Sequence, residues 1–309
     1  VNEIPEPGAE APARRSSRRR VLFTVLGVAG ILLVLGIGFS VLQATVRASE
    51  AQAVALEGAG AVDVSTPDGD VAIEARPGTG GLVADSSYFL RAPSVDVSTQ
   101  VTTRDAQAET RTRKIAVSCG WPSACDVDVS GTVPPGTDVT GRAENGDISL
   151  RGPVGVVDIR SERGDVSVEG AARDVRIASA AGAVRVDGAT GAVRAEAVAG
   201  DMELTGLSGA IRARSGEGVI LGEALISDTV FVEGGNGGVR LRFASPPERV
   251  EVDVAIGPAE IQVPAGRYRI DADVNQGDLV VDGIVRDPAA ERSIVLTTRQ
   301  GDATIEATE

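Results

Sequence analysis

Three aspartates, Asp147, Asp165 and Asp201, each follow a glycine at the same position of a recurring unit. Carboxylates stacked on successive turns are the oxygen ligands that calcium takes in some β-helices. The simpler reading of each Gly-Asp step is a turn, in which the aspartate bonds nearby backbone N–H groups. Ala183 stands where the row would need another aspartate and separates Asp165 from Asp201, so the turn reading is preferred and no metal site is expected. Arg163-Gly164-Asp165 spells a tripeptide that integrins bind in animals, yet it is one copy of the unit with an arginine beside it. The chain has no histidine, which removes Ser-His-Asp and Cys-His nucleophilic sites and His-based zinc or haem sites in their usual form. Its two cysteines, Cys119 and Cys125, are too few for a four-cysteine zinc site or an iron–sulfur cluster. Paired carboxylates for glycoside hydrolysis are not marked out among the many acids, although parallel β-helices do host polysaccharide-cleaving enzymes. With aromatic residues at 3%, the regular units offer no sugar-stacking platform. The stretch Gly234 to Gly238 lacks the lysine and following helix of a phosphate loop and reads as a turn. Tyr88 and Trp121 lie in a less regular region, where burial under a cap is expected and exposure would make them partner contacts. No catalytic, cofactor-binding or metal-binding residue is expected.

The elements that carry these residues follow from the repeat. Gly146, Gly164, Gly182, Gly200 and Gly218 are 18 residues apart. After the first four, apolar residues recur at the second and fourth positions: Ile148 and Leu150, Val166 and Val168, Val184 and Val186, Met202 and Leu204. Polar residues alternate with them, the period of two of a strand with one buried face. Half a unit later a second strand contributes Val157 and Ile159, Val175 and Ile177, Val193 and Ala195, Ile211 and Ala213. Each unit is thus strand, turn, strand, turn, with no room for a crossover helix. Stacked in register, such units predict an all-β fold, a parallel β-solenoid with roughly 18-residue two-strand rungs. An antiparallel sandwich or barrel is the rival, but it explains alternation and not a strict period. Toward the C-terminus the spacing loosens, and Val219 and Leu221, Val239 and Leu241, Ile261 and Val263, Leu279 and Val281, and Ala303 and Ile305 are expected to point inward.

The N-terminal region has a different character. Five arginines between Arg14 and Arg20 precede an uncharged run, residues 21–44. As a helix these 24 residues span roughly 36 Å, enough for a bilayer core of about 30 Å. A retained transmembrane helix is expected in preference to a cleaved signal peptide, whose apolar region is shorter. A twin-arginine export signal is a weaker match at Ser17 to Leu22. The arginines place the N-terminus in the cytoplasm and residues 45–309 outside. That outer part holds 25 basic and 41 acidic residues, a net charge of −16, which argues against nucleic acid as a partner. In a disulfide-permissive compartment, Cys119 and Cys125 are expected to form a small structural disulfide across the turn formers between them. The expected organisation is a cytoplasmic head (1–20), a transmembrane helix (21–44), a linker with irregular first rungs or cap (45–135) and the solenoid (136–309).

The segment Val133-Pro134-Pro135-Gly136-Thr137-Asp138-Val139, the units Gly146-Asp147-Ile148, Gly164-Asp165-Val166 and Gly277-Asp278-Leu279, and the late Val263-Pro264-Ala265-Gly266-Arg267-Tyr268 together resemble a bacterial family. It is the DUF4097 β-strand-repeat family, known as the "putative adhesins", and the resemblance covers roughly residues 54 to 309. It implies a repetitive β domain at the bacterial envelope, often behind one transmembrane helix, and supplies no catalytic residues. The expected function is non-catalytic binding or scaffolding at the cell envelope, with an accessory or sensory role in envelope-stress signalling as the alternative and a polysaccharide-active enzyme as a third class. The expected partners are the cytoplasmic membrane and either envelope proteins or wall polymers, with no nucleic acid, small-molecule substrate or cofactor.

Overall fold

The alternation of small β-branched residues with polar ones is realised as strands throughout. The computed structural model describes residues 48–88, 92–104, 108–119, 125–170 and 172–308. The expected head, the expected transmembrane helix at 21–44 and Trp121 lie outside the described residues. Among those described, no helix is long and apolar enough to cross a membrane. Residues 48–309 form one compact unit.

Each regular rung gives a four-residue strand to one sheet and a seven-residue strand to the other. The short-strand sheet holds Ile148–Arg151, Val166–Glu169, Val184–Asp187 and Met202–Thr205. The long-strand sheet holds Val157–Arg163, Val175–Ala181, Val193–Ala199 and Ile211–Glu217. Rungs pair in parallel at the 18-residue period: Val157 faces Val175, Val175 faces Val193, and Val193 faces Ile211. Thirteen described strands make up each sheet. Parallel pairing of successive rungs excludes the antiparallel sandwich, and the 18-residue solenoid reading holds.

The residues between the sheets form one continuous core of valine, isoleucine, leucine and alanine. Burying each valine, isoleucine or leucine contributes roughly 1.5–3 kcal/mol, and each alanine methyl about 0.8 kcal/mol, before conformational entropy is subtracted. At the turns the chain needs glycine. Gly182 has φ +125°, and a Cβ there would lie 2.1 Å from the carbonyl oxygen of Gly164. Gly200 repeats this against Gly182, at 2.0 Å. The glycine column is therefore set both by backbone conformation and by the closeness of the next rung.

Several expectations need correction where the period loosens. Ile220 faces Met202 and is buried, with Gly222 at the next inward position, whereas Val219 is 38% exposed and Leu221 only half-buried. The inward register set by the preceding glycine is kept, and the pair of larger apolar residues does not capture it. A register shift between Gly222 and Leu225 follows, with Ala224 at φ +52°, and Leu225 then fills the core beside Phe243. This inserted residue lengthens the glycine spacing from 18 to 19. Leu279 occupies an inward register position opposite Ala303 yet is 38% exposed, because its strand is the last of its sheet. In the Gly234 to Gly238 stretch, Gly234, Gly235 and Asn236 end the strand Thr229–Asn236, so only the last two glycines belong to the turn.

Rung order departs from chain order at both ends. Ser293–Gln300 and Ala303–Thr308 insert between the rung Arg249–Ile256 with Ala259–Pro264 and the outermost rung, Arg267–Val274 with Leu279–Asp282. At the other end, Ala61–Asp68 and Val71–Ala75 pair directly with the rung that begins at Asp138. Beyond them the edges turn antiparallel: Gly81–Tyr88 pairs with Cys125–Val133 and with Ala48–Ala55, and Ser94–Arg104 pairs with Ala108–Ser118. Antiparallel strands end the stack at that side and blunt its parallel edges.

Candidate binding faces of the solenoid

The row of turn aspartates is occupied by the backbone. Asp70, Asp147 and Asp165 each accept a 2.8 Å hydrogen bond from the main-chain nitrogen one rung on, at Asp147, Asp165 and Ala183. Asp201 does the same for Val219. On the opposite turn Asp138 serves Val156 and Asp174 serves Ala192. A residue without a carboxylate can follow each aspartate because the acceptor always belongs to the earlier rung. The row is a set of staples between rungs, and no group of three or more metal-ligating side chains exists among the described residues. The tripeptide Arg163-Gly164-Asp165 is likewise engaged in stacking: Arg163 Nε donates to Asn145 Oδ1 at 2.5 Å, and Asp165 holds Ala183.

The two outer faces differ in how they arrange charge. On the short-strand sheet, opposite charges face each other across rungs. Arg151 pairs with Glu169 at 3.3 Å, Arg185 with Glu203 at 3.0 Å through Nε, and Arg240 with Glu260 at 2.7 Å. The hydrogen bonds and charge of Glu203 and Glu260 raise the pKa of Arg185 and Arg240 above their ordinary value. Exposed pairs of this kind add little stability, but they neutralise the arginines of this face.

On the long-strand sheet, Arg176, Arg194 and Arg212 are direct partners on three adjacent strands, all exposed. Ion pairs on this face run both along a strand, as Arg160 with Asp158 at 3.1 Å, Arg194 with Glu196 at 2.6 Å and Arg249 with Glu251 at 3.0 Å, and between strands, as Arg142 with Asp63, Arg214 with Glu233 and Arg299 with Asp253. Arg212 and Arg249 lie over the Phe231 ring, 5.3 and 5.5 Å from its centre. Beside this file lies a shallow depression of about 450 Å³ lined by small and apolar residues such as Val198 and Ala255 and by the charged Arg214, Glu233, Asp253 and Arg299. Val198 is 68% exposed there. The file was legible as arginine at an 18-residue interval after each inward Val or Ile, a signal masked by the net acidity of the chain.

Cys119 and Cys125 come together at the edge of the antiparallel cap, with Cα atoms 5.8 Å apart and their sulfurs in bonding contact. Tyr88 packs half-buried against the core.

The DUF4097 family, described as Toastrack DUF4097, matches residues 106–309, about two thirds of the chain. The chain belongs to the DUF4097 family. The match begins later than the resemblance drawn from motifs, which started near residue 54, and takes in every regular rung of this DUF4097 protein. No curated protein matches it. Among solved structures it is similar to a "putative adhesin" from Bacteroides fragilis at 13% identity, covering 84% of this chain and 97% of that one, with a TM-score of 0.41. A "putative cell adhesion protein" from Clostridium sporogenes is 11% identical, covers 85% of this chain and 100% of that one, and has a TM-score of 0.24. A "putative lipid binding protein" from Parabacteroides distasonis is 12% identical, with 84% and 97% covered and a TM-score of 0.39. Membership of DUF4097 rests on the sequence match and not on these three.

Proposed function

We propose that this DUF4097 chain is a membrane-anchored, extracytoplasmic binding or scaffolding module of the bacterial cell envelope, without catalytic activity. The observation that carries the reading is the unbroken parallel register of the long-strand sheet from Val139 through Ile256, which holds the outward side chains of that sheet at fixed rung spacing. Such a stack is stiff and quasi-one-dimensional, and it suits contact with an extended partner more than enclosure of a small substrate. The arginine-flanked run at 21–44 supports a single-pass anchor with the N-terminus in the cytoplasm. An outside location also suits a Cys119–Cys125 disulfide, whose Cα separation of 5.8 Å lies in the usual range.

Co-sedimentation of the full chain, held in detergent micelles, with isolated envelope material tests the reading. Saturable sedimentation, competed by unlabelled chain, is the expected result. A chain that stays in the supernatant at every concentration contradicts it.

A further inference from the structure

Like charges placed directly opposite one another destabilise a sheet. On the short-strand sheet no arginine faces another: Arg151 faces Glu169, Arg185 faces Glu203 and Arg240 faces Glu260, and like charges that do face each other, such as Glu169 and Asp187, are acids. On the long-strand sheet arginines do face arginines, beside the opposite charges of Glu196 and Arg214. Arg176 faces Arg194, and Arg194 faces Arg212, rung upon rung about 4.8 Å apart. The same fold in the same chain thus arranges arginine in two ways, and folding stability accounts for only one of them.

The file is also poorly neutralised. Arg194 holds Glu196, but Arg176 and Arg212 make no ion pair among the described residues. Asp158, directly across from Arg176, bonds to Arg160 at 3.1 Å. Phe231 is the next residue of the row after Arg212, and Glu251 the one after it; Arg249, which faces Thr229 beside the row, reaches over the same Phe231 ring as Arg212, so a fourth guanidinium lies at the end of the file. Carboxylates lie beside the file at Glu196 and Glu233 and bound its row at Asp158 and Glu251. A flat anionic surface laid on this sheet would meet all four acids as well as the arginines. A thin chain segment lying along the stacking direction between Asp158 and Glu251 meets the arginines without Glu196 and Glu233.

We infer that Arg176, Arg194 and Arg212, continued by Arg249 across Phe231, form a track for a linear phosphodiester polymer lying along the stacking direction of the long-strand sheet. Guanidinium forks bind phosphate oxygens by paired, charge-assisted hydrogen bonds, and two of these forks have no carboxylate to give up. The net charge of −16 on residues 45–309 opposes a polyanion at long range. At physiological salt that repulsion is screened beyond about 8 Å, whereas the direct contacts are not. The assignment rests on the binding-module reading and names the partner class for one of its faces.

The test uses the full chain in detergent micelles and a fluorescein-labelled synthetic poly(glycerol phosphate) oligomer, with anisotropy read at physiological salt. The triple variant R176Q/R194Q/R212Q is expected to bind about 30-fold more weakly, roughly a factor of three for each guanidinium lost. The matched variant R151Q/R185Q/R240Q, which removes the same charge from the other sheet, is expected to change affinity less than about threefold. A second variant, R176Q, guards against loss of fold: Arg176 makes no ion pair among the described residues and faces the like charge of Arg194, so the melting temperature holds or rises while binding falls about threefold. Single-stranded DNA of equal charge separates an acyclic polyol phosphodiester from attraction to any polyanion: it is expected to bind more weakly than the poly(glycerol phosphate) oligomer, and equal or tighter binding overturns the assignment. Equal losses in the two triple variants, undiminished binding by the file variant, or tighter binding to phosphatidylglycerol vesicles than to either polymer overturns the track. Absence of polymer binding beside retained co-sedimentation with envelope material overturns the track and leaves the binding-module reading standing. Loss of both removes both.

Discussion

Asp165 Oδ1 accepts a 2.8 Å hydrogen bond from the backbone nitrogen of Ala183, the equivalent residue one rung on. That single contact explains why the aspartate row tolerates gaps and why it need not hold a cation. Replacement of Asp165 by alanine is expected to lower stability by about 1–2 kcal/mol, because the Ala183 N–H loses a charged acceptor. D165N should lose less, since an amide oxygen still accepts. Calcium should leave the melting temperature of the wild-type chain unchanged. A calcium-dependent rise that D165A abolishes would restore the ligand reading.

The glycine column yields a sharper test. Gly182→Ala forces a side chain into positive φ and toward the Gly164 carbonyl, at a cost of more than about 3 kcal/mol or outright loss of soluble protein. Gly81→Ala, whose Cβ would meet only the Val54 carbonyl at 3.7 Å, should change the urea midpoint little. Similar losses at both sites would mean that rung stacking is not what selects glycine.

A polar column inside the core offers the opposite sign. Ser161 and Ser179 are buried, and their hydroxyls have no hydrogen-bond partner among the described residues. Ala143 and Ala197 occupy the same column in neighbouring rungs. Ser179→Ala is therefore expected to leave stability unchanged or raise it by up to about 1 kcal/mol. A clear loss in chemical denaturation would show that the hydroxyl has a partner after all.

Tyr268 locks the strand Arg267–Val274, which only the short strand Val285–Arg286 covers: its ring is fully buried and its hydroxyl donates to the Pro264 carbonyl at 2.9 Å. Burial raises its pKa above the ordinary 10.0, with Arg292 opposing the shift. The unfolded chain therefore loses this proton first as pH rises. The stability from the buried phenol is complete below about pH 10 and is lost as pH climbs through the folded-state value. Y268F should cost about 1 kcal/mol at neutral pH and flatten that alkaline decline. An equally steep decline in Y268F would assign it to other groups.

How far the sequence could be read varied with the range of the interactions involved. The rungs from Ile148 to Ala213 were legible because alternation and period are local and agree, and the buried residues there are the ones expected. Ile220 was missed because the alternation offered by Val219 and Leu221 outweighed the glycine register, which pairs Ile220 with the side-chain-less Gly222. The insertion of the Ser293–Gln300 strand inside the Arg267–Val274 strand was illegible. The glycine spacing from Gly257 to Gly277 is 20 residues, the same as from Gly237 to Gly257, so only long-range pairing reveals the changed order. The arginine file was present in the letters at a fixed interval, but a charge total averages such a file away.

The central functional claim is that the solenoid is displayed outside a membrane that residues 21–44 cross. Protease added to intact cells, and to cells whose wall or outer layer has been opened, with a tag on the C-terminus of the full chain, addresses this directly. The account predicts that the tag is removed while the inner membrane is intact, from a protein that runs at full length and sediments with membranes before digestion. A tag that stays protected until the inner membrane itself is lysed would put the β domain in the cytoplasm and contradict the anchor orientation, the disulfide and the envelope role together.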